Sequence, residues 1–259
     1  MISRKEHYDY LLDMVKLKIW FIFHFRNVFS GDSFANFVNT RTMLLAYTSL
    51  NLNNLYSDTK SSDPCLWDEI LSELESYISN SVNFDDFEAF SLKLIKPYLE
   101  PRVDKDMEGL EWMCTDPKYK LMNPFKYNLG VEGNKLEFHF ENHHYPKSIL
   151  GNKECMMSAL EVMVNDAKNN NFKYIEGTTW LNNFKPWLRV FPPQWQANGS
   201  LDSHDIKGNL GFWGQFISSN LTLNKKVSDR FKRNKLLPYP MKTCFAHVDD
   251  FSRFLEMER

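Results

Sequence analysis

The chain reads as α+β, a helical N-terminal half packed on a small mixed β-sheet with helices in the C-terminal half, and three observations lead there. Apolar residues recur at helical spacing through four successive segments up to Glu100. Residues 135–141, KLEFHFE, alternate between apolar and polar, the period of a strand with one buried face. A helical pattern and a second strand follow within about 45 residues, the signature of a parallel crossover unit. The expected regions are 1–100 helical, 101–134 a connector, and 135–259 mixed α/β.

Taken in order, Ser3-x-x-Glu6 is a capping box that opens a long helix to about Val28, with Leu11, Met14, Val15, Ile19, Ile22 and Phe23 at helical spacing. Ser30-Gly31-Asp32 stops it. A second helix spans Ser33 to Leu50, and the Asn-, Ser- and Asp-rich stretch from Asn51 to Ser62 is a loop. Asp63-Pro64 supplies an N-cap with proline at the first helical position. Asn83 caps a fourth helix that Lys96-Pro97 closes. The connector holds a short helix near 106–114. After the strand at 135–141, a loop leads to a helix from Lys153 to Lys168, and Phe172 to Thr178 is the next strand. Leu210 to Ile217 reads as a strand, Asn224 to Arg233 as a helix, and Thr243 to Val248 as a short strand. Asp249 caps a terminal helix.

Composition narrows the function. The 259 residues are 43% hydrophobic, 25% charged and 15% aromatic, with a formal charge of -2. That balance excludes a disordered chain, and it gives no global field toward nucleic acid or an anionic membrane. Four scattered cysteines without a CxxC spacing fit a reducing compartment rather than a disulfide framework or zinc finger. The most apolar run, Ile19 to Phe25, is flanked by Lys18 and Arg26 and falls far short of the roughly 20 residues that span a bilayer. The N-terminus lacks the apolar region of a signal peptide. The expectation is a cytoplasmic protein with a small-molecule substrate, no membrane span and no nucleic-acid partner.

In open α/β sheets ligands bind outside the carboxyl ends of parallel strands. Two loops hold those positions here: Asn142 to Asn152, and Thr178 to Trp187 with Trp180, Asn182 and Lys185. His139-x-Glu141-x-His143 puts three metal-ligating side chains on one strand face at intervals of about 6.6 Å. The His139-x-Glu141 pair with a distant histidine, His204 or His247, offers a two-histidine, one-carboxylate set for iron or zinc. Without metal, His139 is the general-base candidate, since imidazole titrates near neutrality. In Trp213-Gly214-Gln215, Trp213 is a candidate stacking wall and Gln215 an orienting amide, with a core role for Trp213 as the alternative. The cluster Lys225-Lys226, Arg230, Lys232-Arg233 and Lys235 is locally basic, a solvated helix face or a phosphate contact. Walker A, GxGxxG, GxSxG and HExxH patterns do not occur.

From Lys135 to Phe191 the order of elements resembles the core of the GNAT N-acyltransferase superfamily: KLEFHF, a turn through Gly151-Asn152, a helix through Met163, YIEGTTW, then a short helix near Asn182. The resemblance implies acyl-coenzyme A held between the two strands, with its pyrophosphate on amides near Gly151 and Lys153. The turn carries Gly151-Asn152-Lys153 where the family has Arg or Gln, two residues, Gly, one residue, then Gly or Ala. Trp187 occupies the region where a tyrosine often serves as general acid.

Three readings follow. The first is a small-molecule N-acyltransferase using acyl-coenzyme A, with His139 as base, Asn142 and Asn182 orienting substrate, Trp180, Lys185, Trp213 and Gln215 lining its site, and Gly151 with Lys153 on the cofactor. The second is a metal-dependent oxygenase or hydrolase built on His139, Glu141 and His143. The third is a non-catalytic binding or effector module.

Overall fold

The computed structural model describes residues 3–52, 60–80, 83–108, 119–140, 142, 147–201, 206 and 208–258. Along the chain come helices α1 (Arg4–Phe25), α2 (Phe34–Arg41), α3 (Pro64–Asn80), α4 (Phe84–Ile95) and α5 (Leu99–Glu108). Then follow β1 (Lys120–Met122), β2 (Phe125–Tyr127), β3 (Lys135–Phe140), α6 (Lys153–Asn169) and β4 (Tyr174–Thr179). The remainder is α7 (Lys185–Leu188), α8 (Pro193–Ala197), β5 (Ser200–Leu201), α9 (Leu210–Trp213), α10 (Lys225–Asn234), β6 (Lys242–His247) and α11 (Val248–Glu258). The fold is α+β. The chain forms two compact units, Met1–Trp112 with Ile206–Lys232, and Met113–Asp205 with Arg233–Arg259.

The first unit is helical and centred on α1. The Ser3 and Glu6 capping box forms in both directions, satisfying backbone donors that a helix start leaves open. Much of α1 is buried on every side, so Leu11, Met14, Val15, Leu17, Phe21 and Ile22 are core. Lys18 is buried with them at 0% exposure. A polar network crosses this interior: His7 Nε2 lies 2.8 Å from Asp106 Oδ2, and Arg102 Nε donates to Asp106 Oδ1 at 2.7 Å. Arg102 also donates to the Ala46 carbonyl at 2.6 Å. Asp63 caps α3 and Asn83 caps α4, each accepting a backbone N–H.

Two expectations for this unit are corrected. The helix expected over Ser33 to Leu50 ends at Arg41, and a 3-10 turn at Leu45–Tyr47 follows Met43, which has φ 55°. The carbonyls at the end of α2 find distant donors: Gly208 N–H bonds the Thr40 carbonyl and Trp213 Nε1 the Arg41 carbonyl. Tertiary pairing therefore ends the helix where local propensity allows more. The strand expected over Leu210 to Ile217 is instead α9 followed by a 3-10 turn, opened by an Asn209 side-chain cap. Phe212, Trp213 and Phe216 are all buried, and a short apolar run buried on several sides does not reveal its period. The segment from Ile206 to Lys232 groups with the helical unit.

The second unit carries a six-stranded mixed sheet in the order β1-β2-β3-β4-β6-β5. Parallel pairing occurs between β3 and β4, joined by α6, and the remaining pairs are antiparallel. One sheet face presents Leu136, Phe138, Ile175, Cys244 and Ala246 to a core completed by α6, Trp187, Trp195 and α11 residues Phe251 and Leu255. The β1–β2 hairpin falls in the expected connector, whose start is the end of α5 at Glu108; most of the short helix expected near 106–114 lies outside the described residues. Three-residue strands are too short to show a period. Asp249 lies in the first turn of α11 rather than at its cap. Cys65, Cys155 and Cys244 carry no disulfide. Cys114 lies outside the described residues. Among the described residues no helix is long and apolar enough to cross a membrane.

Candidate functional site

The parallel strands of the second unit open toward their carboxyl ends. Lys135, Leu136 and Glu137 pair with Tyr174, Ile175 and Glu176, and among the described residues the β3–β4 register stops there. Beyond that point β3 keeps only its antiparallel partner: Phe138, His139 and Phe140 pair with Tyr127, Lys126 and Phe125. The far half of β4 keeps only β6, with Gly177, Thr178 and Thr179 opposite Cys244, Thr243 and Lys242. Each strand thus has one main-chain edge turned into the opening.

Aromatic packing accounts for the divergence. A Cβ on Gly177 would lie 2.9 Å from Phe138 Cζ and 3.2 Å from Trp195 Cη2, so the Phe138 ring sits directly on the glycine backbone. Phe138 stacks on Phe191 at 6.0 Å and on Trp195 at 5.7 Å, while Phe140 meets Trp187 edge-on at 4.9 Å. These rings fill the inner side of the opening and leave its outer side to polar residues.

Asn182 sits behind that aromatic layer at 1% exposure. Its Nδ2 donates to the carbonyls of Gly177 at 3.0 Å and Lys242 at 2.7 Å. Its Oδ1 accepts from the indole N–H of Trp187 at 2.8 Å and of Trp195 at 3.1 Å. Two donor hydrogens and two acceptor sites are all engaged. Asn182 is therefore a structural centre tying β4, β6 and two tryptophans together, which corrects its expected role of orienting substrate.

His139 lies on the other face of β3, exposed beside Glu137. Its ring meets Tyr119 edge-on at 5.5 Å, and Lys126 Nζ stands 5.0 Å over the Tyr119 ring. Tyr119, Asn128, Glu132, Asn134, Glu137 and His139 help line a shallow depression of about 370 Å³ near the start of β3. Lys135 pairs with Glu176 across the strands at 2.7 Å, which holds its ammonium pKa above the ordinary lysine value. Asn142 donates to the Lys147 carbonyl at 2.9 Å and closes its loop. The expected trio is thus divided: His139 on the open face, Asn182 in the core, Asn142 in the loop after β3.

At the start of α6, Asn152 accepts the Cys155 N–H at 3.1 Å through its side chain and the Met156 N–H through its carbonyl. Anion contact there falls to the neighbouring amides from Asn152 to Glu154. Gly151 is open, with nothing within 4 Å of the place a Cβ would take, while Lys153 is paired with Glu258 of α11. Trp180 is half-buried, forming a cluster with Phe184 at 5.2 Å and Tyr239 at 6.1 Å at the carboxyl end of β4. Tyr239 is the residue of this cluster that periodicity does not single out. Lys185 is exposed at the start of α7.

Trp213 and Gln215 lie in the first unit, both buried, with Trp213 bonded to the Arg41 carbonyl and Gln215 to the Phe212 carbonyl. Trp213 is core, not an open stacking wall. Of the metal set, Glu141 and His143 lie outside the described residues, as does His204. His247 accepts the Asp249 N–H at its Nδ1 and stands edge-on to Tyr174 at 5.3 Å. Among the described residues no three metal-ligating side chains come together. No protein-family model, curated protein or solved structure matches the chain.

Proposed function

We propose that the second unit is an acyl-coenzyme A-dependent N-acyltransferase acting on a small molecule, with the donor's pantetheine arm lying between β3 and β4. The observation that carries this reading is the opening of a parallel, helix-linked strand pair at its carboxyl ends. An extended chain bearing amides is the kind of ligand that two exposed strand edges accept, because unpaired backbone N–H and C=O groups require partners. The residues present fit such a group in part. The edges at 138–140 and 177–179 supply main-chain contacts, although Asn182 already occupies the Gly177 carbonyl. The amides from Asn152 to Glu154 face a phosphate favourably, as helix starts do, against the opposing charge of Glu154. When bound, the thioester supplies the activated acyl group.

The chain's own part is binding and proton handling. His139 lies in the diverging half of β3 with its imidazole exposed beside Glu137, which supports its role as the base that takes a proton from an acceptor amine. The half-buried rings of Trp180, Phe184 and Tyr239 offer an apolar wall at the end of β4. The test is thiol release from acetyl-coenzyme A in the presence of a panel of primary amines. The expected result is amine-dependent release that falls about 100-fold or more in His139→Ala. Absence of release with every amine, or full activity in His139→Ala, overturns the proposal or the role of His139, respectively.

A further inference from the structure

Helix α10 packs inward through Val227, Ser228 and Phe231, with the Phe231 ring 5.4 Å from Trp20 and 5.5 Å from Phe25. Its opposite face exposes Lys225, Lys226, Arg230 and Arg233, with Lys232 half-buried and Lys235 exposed just beyond. Asp229 is the only acid from Lys225 to Lys235, a stretch with six basic residues in a chain whose formal charge is -2. Positive charge is therefore concentrated on one helix of an otherwise acidic protein. Leu236 is 71% exposed immediately after the basic stretch.

We propose that α10 is a docking surface for an anionic phospholipid bilayer. A face of lysines and arginines matches the diffuse negative charge of such a surface, and the exposed Leu236 beside it suits the boundary between headgroups and acyl chains. Nucleic acid fits less well, because the aromatic residue of α10, Phe231, is turned into the core and leaves no stacking surface. A protein partner fits less well too, since stable interfaces centre on apolar and aromatic anchors and are depleted in lysine. This inference is independent of the acyl-transfer reading.

The experiment is co-sedimentation with phosphatidylcholine vesicles and with vesicles containing about 30% phosphatidylglycerol. It compares wild type with Lys225→Glu/Lys226→Glu/Arg233→Glu and with the milder Lys225→Gln/Lys226→Gln. Each basic residue near an anionic surface contributes about fivefold in partitioning. Wild type is expected to bind the anionic vesicles alone and to release as salt rises from about 0.1 to 0.5 M. The triple variant is expected to lose at least about 100-fold and the double variant about 25-fold, with unchanged circular dichroism. Equal binding to both vesicle types, salt-independent binding, or a folded variant that binds like wild type overturns the proposal. Tighter binding to a DNA duplex than to the anionic vesicles also overturns it.

Discussion

Replacing Asn182 by Ala is expected to unfold the second unit's centre rather than to slow chemistry. The substitution deletes four hydrogen bonds and strands three buried groups, the indole N–H of Trp187 and Trp195 and the carbonyl of Gly177, together with the half-buried carbonyl of Lys242. A buried bond of this kind is worth about 1 kcal/mol net, and a buried group left without a partner costs about 1–3 kcal/mol. Both indoles are fully buried, so water does not simply take the amide's place. The loss is therefore at least about 4 kcal/mol, against a total stability of about 5–15 kcal/mol for a typical domain. Asn182→Asp fares no better, because it restores the acceptors for the indoles but turns a carboxylate oxygen toward two carbonyls. The assay is urea unfolding followed by tryptophan fluorescence, to which Trp187 and Trp195 contribute from within the affected cluster. A variant with the wild-type urea midpoint and impaired turnover refutes the reasoning and returns Asn182 to the substrate.

Further expectations rest on separate contacts. Gly177→Ala drives a methyl group into the Phe138 and Trp195 rings and is expected to cost about 1–3 kcal/mol in urea unfolding; a neutral result contradicts the packing of the opening. Lys18 is buried with no hydrogen bond to Nζ, its ammonium 3.8 Å over the Trp213 ring and 4.6 Å over Tyr47, and burial lowers its pKa well below the ordinary lysine value. The folded state therefore binds fewer protons than the unfolded chain below the unfolded pKa near 10.5, so this group's contribution rises with pH up to that value and falls as pH drops toward the folded pKa. Lys18→Met is expected to be more stable than wild type at neutral pH and to lose that part of the pH slope; equal slopes between about pH 7 and 10 contradict it. For Asp166, burial favours the neutral form, but hydrogen bonds from Lys120 and Tyr127 outweigh it and hold the carboxyl below its ordinary value. Its contribution is present above the unfolded pKa near 3.8 and is lost as pH falls through the folded value, so Asp166→Asn is expected to destabilise at neutral pH and to flatten the acid limb of an unfolding titration.

Elements whose signal is local were legible in the sequence. The capping box at Ser3, the Asp63-Pro64 start, the Asn83 cap and the alternation from Lys135 to Phe140 each depend on residues within one turn or strand of each other. What escaped depends on distant partners. Lys18 reads as the polar flank of an apolar run, yet Trp213, far along the chain, covers it. Asn182 reads as a polar loop residue because its four partners come from β4, α7, α8 and β6. His139 stands on the exposed face of β3 while Asn182 lies buried in the 3-10 turn after β4, a distinction that β3 alternation supplies for His139 and no local pattern supplies for Asn182. The opening between β3 and β4 was legible only as a topology, since its shape depends on Phe138 resting on Gly177.

The central claim is that a thioester donor lies along the open edges of β3 and β4, and hydrogen exchange with and without acetyl-coenzyme A tests it most directly. Slowed exchange is expected at the amides of 138–140 and 177–179 and at the start of α6 near Lys153, saturating at a ligand concentration between about 1 μM and 1 mM. Unchanged exchange in both strands at saturating ligand, or protection confined to other segments, contradicts it.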